Sequence, residues 1–230
     1  MTPLTLLAAL VIAALSICAW SQVGYWRDDA VLFGRAIEVT RNNAPAQYNL
    51  ANALRERGDI DEAVRHYYEA IRITPNFVEA RSNLGTALAA QGKLDEAITH
   101  FRRALRIDPN LADAHFNLGV ALFEKGDIDG AVAHFSQTIR IKPNRANAHF
   151  NLGVALVRQG KIDEAIREYR EAVRFKPDLA LAHFNLASAL YGLGDYAEAW
   201  KEVRLSQKYG RAPDPRFLKA LAGKMPEPEE

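Results

Sequence analysis

Cysteine is almost absent: the 230-residue chain has one, Cys18, inside an apolar N-terminal run. A single thiol excludes a disulfide framework and a cysteine-based metal site. An excess of charge of either sign is missing too, with 29 Lys and Arg against 28 Asp and Glu. Recognition of a nucleic-acid backbone calls for a clustered basic surface, so no nucleic-acid partner is expected. The sequence also lacks a phosphate loop, a nucleophile beside a general base, and a carboxylate pair set in a catalytic motif. Neither enzymatic activity nor a cofactor is expected.

Charged side chains are absent altogether from residues 1–26. Residues 3–20 read PLTLLAALVIAALSICAW, with Thr5 and Ser16 as the only polar members. At about 1.5 Å per residue such a helix is roughly 27 Å long, near the lower limit for crossing a bilayer. Trp20, Tyr25 and Trp26 follow, in the manner of an aromatic belt at the lipid–water boundary. A transmembrane anchor over residues 1–26 is therefore expected. Two alternatives stay open. Ala19-Trp20-Ser21 has the small-x-small form of a signal-peptide cleavage site, although no basic segment precedes it. Cys18 in Leu15-Ser16-Ile17-Cys18 would serve a lipid anchor, but Ile17 stands where a small residue is needed. Arg27 is followed at once by Asp28 and Asp29, so flanking charge says little about orientation.

What the rest of the chain has is a period. Glycine recurs at 58, 92, 126, 160 and 194, alanine at 63, 97, 131, 165 and 199, and proline at 75, 109, 143 and 177, always 34 residues apart. A repeat of that length holds two helices. With Ala44 as position 1, leucine fills positions 7 and 11 of every unit, from Leu50 and Leu54 to Leu186 and Leu190. Position 8 is small throughout: Ala51, Gly85, Gly119, Gly153 and Ala187. Positions 4, 7, 8 and 11 share one face of a first helix, A. The small residue admits a partner helix, and the spaced glycine ends helix A in a left-handed turn. In the second helix, B, Asp61, Asp95, Asp129 and Asp163 are expected as N-caps. The apolar stripe continues through Ala63, Tyr67 and Ala70 and recurs as Ala97, Phe101 and Ala104. Proline closes the unit because it cannot continue a helix interior.

These columns resemble the tetratricopeptide repeat (TPR) family, whose pattern is Leu, small, aliphatic or aromatic, Ala, aromatic, Ala and Pro at positions 7, 8, 11, 20, 24, 27 and 32. The third unit carries it as Leu118, Gly119, Leu122, Ala131, Phe135, Thr138 and Pro143, with only Thr138 departing. The resemblance implies an all-α, right-handed solenoid of five repeats, 44–77, 78–111, 112–145, 146–179 and 180–213, preceded by one transmembrane helix. Residues 27–43 align with a lone helix B, a half repeat. Residues 214–230 open with Asp214-Pro215, an N-cap and first-turn proline for a short capping helix, and end in MPEPEE, expected to be without fixed structure.

In this family helix A lines the concave side. Position 6 is asparagine in every unit: Asn49, Asn83, Asn117, Asn151 and Asn185. An amide offers donors and acceptors together, so a row of them can grip the backbone of an extended peptide. The row is similar to the asparagine ladder in the repeats of O-linked N-acetylglucosamine transferases. The alternative is that these amides bond to neighbouring repeats. Phe116, Phe150 and Phe184 at position 5, Val120 and Val154 at position 9, and Phe123 at position 12 would give the groove an apolar middle, or would pack between adjacent A helices. Family members that clamp an acidic peptide C-terminus use basic residues at positions 2, 5 and 6; Glu79, Asp113, Phe116 and Asn117 stand there instead. Histidine forms two ladders, His115, His149 and His183 at position 4 and His66, His100 and His134 at position 23. Equivalent atoms of stacked helices lie about 8–10 Å apart, too far for one ion with bonds of about 2 Å, so no metal is expected.

The expected function is that of a membrane-anchored scaffold binding a protein or peptide through its groove. An accessory subunit of a larger membrane complex is the second reading. A third is the non-catalytic TPR portion of a membrane glycosyltransferase-like protein, because WSQVGYWRDDAVLFGRAIEVT resembles the junction between the last membrane helix and the repeats in such proteins. That resemblance implies repeats outside the cytoplasm, in the periplasm.

Overall fold

The structure is a computed structural model that describes residues 29–228. The expected anchor over residues 1–26 lies outside the described residues, among which no helix is long and apolar enough to cross a membrane. The described residues form twelve α-helices and no strand. The chain divides after Ile107 into two compact units. In the first, α1 (Asp29–Val39) packs on α2 (Ala44–Arg57), α2 pairs with α3 (Ile60–Ile73), and α3 packs on α4 (Val78–Ala90), which pairs with α5 (Leu94–Ile107). The second pairs α6 (Ala112–Glu124) with α7 (Ile128–Ile141), α8 (Ala146–Arg158) with α9 (Ile162–Phe175) and α10 (Ala180–Leu193) with α11 (Tyr196–Lys208), and ends in α12 (Pro215–Ala222).

Each hairpin turns on one backbone device. Gly58, Gly92, Gly126, Gly160 and Gly194 all have φ between 75° and 91°, a left-handed conformation that costs little only without a Cβ. The next N–H reaches back to the position-11 leucine carbonyl: Asp59 to Leu54, Lys93 to Leu88, Asp127 to Leu122 and Lys161 to Leu156 at 2.9 Å, Asp195 to Leu190 at 3.0 Å. This Schellman closure satisfies an orphan carbonyl and turns the chain within two residues. Helix B accordingly starts earlier than expected, at Ile60, Leu94, Ile128 and Ile162. Asp61, Asp95, Asp129 and Asp163 are therefore first-turn residues rather than N-caps, with their carboxylates near the positive end of the helix dipole. The N-cap falls two residues before, where the Asp127 carboxylate accepts from the Gly130 N–H at 2.9 Å. Asp61 and Asp129 instead accept from the Gln91 and Gln159 amides of the following hairpin, each at 2.6 Å.

In the second, third and fourth hairpins the two helices meet ring against glycine. A Cβ on Gly85, Gly119 or Gly153 would lie 2.7, 2.7 and 2.6 Å from the rings of Phe101, Phe135 and Tyr169. Those rings are buried, at 0%, 1% and 2% exposure, so they have nowhere to retreat. In the fifth hairpin Ala187 occupies the glycine position and the smaller Val203 the ring position. At the C-terminus Leu221 is fully buried, and Phe217 of α12 lies edge-on to Phe184 and Tyr191 at 5.6 and 5.5 Å. The tail departs from expectation. Trp200 donates to the Met225 carbonyl and Arg204 to that of Pro228, each at 3.0 Å, which pins residues 225–228 on α11.

Gly119→Ala is expected to cost about 1–3 kcal/mol by overpacking the Phe135 ring. Phe135→Leu in the same chain should return part of that loss. Urea denaturation of the two single variants and the double variant measures both effects, and an unchanged midpoint for Gly119→Ala would remove the ring contact from the account.

Candidate functional site

The A-helix face of the second unit carries two apolar hollows built alike. One, of about 290 Å³, is lined by Val120, Phe123 and Glu124 of α6, Phe135 of α7, and Asn151 and Val154 of α8. The other, of about 330 Å³, is lined by Val154, Val157 and Arg158 of α8, Ile162 and Tyr169 of α9, and Asn185, Ser188, Ala189, Gly192 and Leu193 of α10. The six residues of the first recur one repeat later in the second: Val120 as Val154, Phe123 as Val157, Glu124 as Arg158, Phe135 as Tyr169, Asn151 as Asn185 and Val154 as Ser188. Val154 borders both. The floor of each is the buried helix-B ring that sits under Gly119 or Gly153. Short Val side chains at position 9 leave the space above that ring open.

The first unit closes the equivalent place with polar groups. There position 9 is Asn52, whose Oδ1 accepts from the Tyr67 hydroxyl at 2.6 Å and from Asn83 Nδ2 at 2.9 Å. Asn83 Nδ2 also donates to the Tyr48 hydroxyl at 3.1 Å. The ladder amide of that rung is thus committed within the fold. In the third and fourth hairpins position 9 is valine, Val120 and Val154, and cannot accept. Asn185 still bonds the Tyr169 hydroxyl, whose pKa is pushed up to about 12 because burial raises it more than the Asn185 amide lowers it.

The expected site residues therefore separate. Val120, Phe123, Val154, Asn151 and Asn185 come together around the hollows. Phe116, Phe150 and Phe184 line neither. Phe116 lies 5.8 Å from Phe135 under the Arg145 guanidinium, Phe150 lies 6.0 Å from Tyr169, and Phe184 is held between Phe217 and Arg211. Asn49, Asn83 and Asn117 are half-buried and line neither hollow. Arg158, one residue past the apolar column, borders a hollow and was not singled out in the sequence; its 34-residue relation to Glu124 was the available signal.

Positions 4 and 23, read as separate ladders in the sequence, face each other inside a repeat, and two histidines meet there only in the third, His115 with His134. His115, His149 and His183 place Nε2 at 3.0, 2.8 and 2.8 Å from the carbonyls of Pro109, Pro143 and Pro177. Their Nδ1 atoms meet His134 at 2.9 Å, Glu168 at 2.7 Å and Glu202 at 2.5 Å. A carbonyl only accepts, so each Nε2 carries its proton and each position-4 histidine ties helix A to the preceding proline turn and to its own helix B. Between a carbonyl and a carboxylate, the charged form of His149 and of His183 is favoured. Burial opposes the charge, but Glu168, Glu202 and the proline carbonyls outweigh it and raise both pKa values. In the second hairpin position 4 is Arg81, which donates to the Pro75 carbonyl at 2.5 and 3.0 Å. Its neighbour His100 is left with a buried, unpartnered Nδ1. Burial, then Arg103 and Arg81, lower its pKa to about 4. No group of three or more metal-ligating side chains gathers among the described residues.

These shifts have opposite consequences for stability. A raised histidine pKa stabilises below the unfolded value of about 6.5 and the benefit is lost as pH rises through the folded value. His149→Gln and His183→Gln should therefore weaken the protein more at pH 6 than at pH 9 in urea titrations. His100 acts the other way, since the unfolded chain binds its proton first. Between pH 6.5 and about 4 its burial costs up to roughly 3 kcal/mol. His100→Leu should flatten the acid limb of the same profile, and an unaltered limb would contradict the assignment.

Comparison with known proteins agrees with the hairpin geometry. A family described as "TPR repeat" matches residues 51–92, 85–126, 119–160 and 155–194, and one described as "Tetratricopeptide repeat" matches 32–65. No curated protein sequence matches the chain significantly. Among solved structures the chain is similar to MamA, at 26% identity and TM-score 0.66 over 74% of this chain and 96% of that one. It is also similar in fold to YrrB, described as "a TPR protein with an unusual peptide-binding site", at 23% identity and TM-score 0.69 over 82% of this chain and 96% of that one. PilF of Pseudomonas aeruginosa superposes with TM-score 0.71 at 22% identity, over 78% of this chain and 83% of that one. With family matches running unbroken from residue 51 to residue 194, and a ring seated under a glycine inside the hairpins they cover, the chain belongs to the tetratricopeptide repeat family.

Proposed function

We propose that this protein is an interaction scaffold that holds a partner protein by an extended segment laid on the A-helix face of its second unit. The observation that carries the reading is the pair of open apolar hollows, each with a ladder asparagine, Asn151 or Asn185, at its edge. Apolar walls with a few fixed polar groups are what a peptide side chain and its backbone need together. The likeness to YrrB, whose description includes a peptide-binding site, is consistent with this use of the fold. The polar network of Tyr48, Asn52, Tyr67 and Asn83 makes the first unit a support for the array.

The reading includes an anchor over residues 1–26, supported by an uncharged run followed by Trp20, Tyr25 and Trp26. In that arrangement the repeats face the periplasm and present their surface to a membrane-associated partner. The accessory-subunit alternative would use the anchor and outer face and would be indifferent to the hollows.

One experiment addresses both parts. The tagged protein is recovered from gently solubilised membranes as wild type, as Asn151→Ala/Asn185→Ala with Val154→Glu, and as a chain lacking residues 1–26. The binding variant should lose at least about tenfold of a co-purifying partner, roughly 1.4 kcal/mol, while staying in the membrane fraction. The shortened chain should leave that fraction. A partner retained in full by the binding variant would assign docking to another surface, and a shortened chain still in the membrane would remove the anchor.

A further inference from the structure

Resting on that reading, the geometry points to the kind of segment bound: we propose that the second unit takes an extended, polyproline-II-like peptide with two apolar side chains three residues apart and an acidic side chain between them.

The spacing follows from the repeat. Because the hollows are built from equivalent residues of successive hairpins, they are displaced by one helix-to-helix step, about 8–10 Å for packed helices. Every third residue of a polyproline-II chain returns to the same side, at about 3.1 Å per residue or roughly 9 Å. A flat strand returns after two or four residues, about 7 or 13 Å, and misses the step. An α-helix would match it only with residues seven apart, about 10.5 Å. Its apolar residues three and four positions on would then fall between the hollows, where the Arg158 guanidinium lies 5.9 Å from the Phe123 ring. An apolar cavity of ~150 Å³ takes benzene, so hollows of about 290 and 330 Å³ have room for a branched aliphatic or an aromatic side chain.

The charge follows from what Arg158 lacks. It is exposed, it borders the second hollow with its guanidinium 5.9 Å from the Phe123 ring of the first, and no ion pair engages it among the described residues. A carboxylate on one of the two residues between the apolar anchors meets it there. Glu124, also exposed and without an ion pair among the described residues, borders the other hollow and penalises an acid displaced by one repeat. Charge therefore fixes the register that two similar hollows alone leave degenerate.

The test uses the full chain and three fluorescein-labelled peptides read by fluorescence anisotropy. Their central sequences are Leu-Asp-Pro-Leu, Leu-Asp-Leu-Pro and Leu-Lys-Pro-Leu, each flanked by the same Gly-Ser residues. The first should bind at least about tenfold more tightly than either other, and added salt should narrow its lead over the lysine peptide. Arg158→Glu, at an exposed position where circular dichroism should show the helices intact, should reverse the preference between the aspartate and lysine peptides. Equal affinities for all three, abolished together by Val154→Glu, would overturn the spacing and charge assignment and leave the groove standing. No binding of any of the three to the wild-type chain would overturn the groove reading with it.

Discussion

The contact on which the rest depends is that of a buried ring against a glycine. Phe101, Phe135 and Tyr169 press on Gly85, Gly119 and Gly153 so closely that one methyl group would not fit. Burying such a ring contributes about 1.5–3 kcal/mol, and the close approach fixes how near helix B stands to helix A. The left-handed glycine that ends helix A and the leucine carbonyl that receives the next N–H then set the turn. Once the hairpin is fixed, position 4 and position 23 face each other, and the histidine ties of the second unit become possible. Each later feature presupposes the first.

The same frame carries different chemistry in its two units because a few positions are free to vary above the ring. Asn52 at position 9 draws the Tyr67 hydroxyl and the Asn83 amide into a closed network. Val120 and Val154 at the corresponding positions cannot, and the rings of Phe135 and Tyr169 are left as floors of open hollows. A polar residue thus closes the hollow, and an apolar one leaves it open by failing to fill the space. The charges follow a similar division. Burial with Arg103 and Arg81 disfavours charge on His100, whose Nδ1 has no partner, whereas Glu168 and Glu202 favour charge on His149 and His183.

Much of the hairpin was legible in the sequence because its determinants are local and repeat. A glycine that needs a positive φ, a leucine four residues before it and a small residue beneath a ring each leave a column with a 34-residue step. The start of helix B was placed late because an aspartate in the first turn and one at the N-cap look alike, and only the tight Schellman closure tells them apart. The site was less legible. Whether Asn83 faces a ligand or a neighbour depends on Asn52 and Tyr48, which lie 31 and 35 residues away along the chain. Phe116, Phe150 and Phe184 share a helix face with residues that line the hollows, yet Phe116 and Phe150 turn toward helix B and Phe184 toward α12, a choice of side-chain direction that spacing does not record. Positions 4 and 23 could have been paired by their constant offset of 19 residues, but that offset acquires meaning only when the two helices are known to be antiparallel.

The account makes the second unit's A-helix face the working surface and the opposite face of helix B a passive exterior. Site-specific photo-crosslinking tests that division most directly. A photoreactive side chain introduced in place of Val154, at the junction of the hollows, is compared in cells with one in place of Glu164 on the exposed side of α9. The account predicts a discrete crosslinked partner from position 154 and none from position 164. A partner captured from position 164 alone would contradict it and place docking on the outer face.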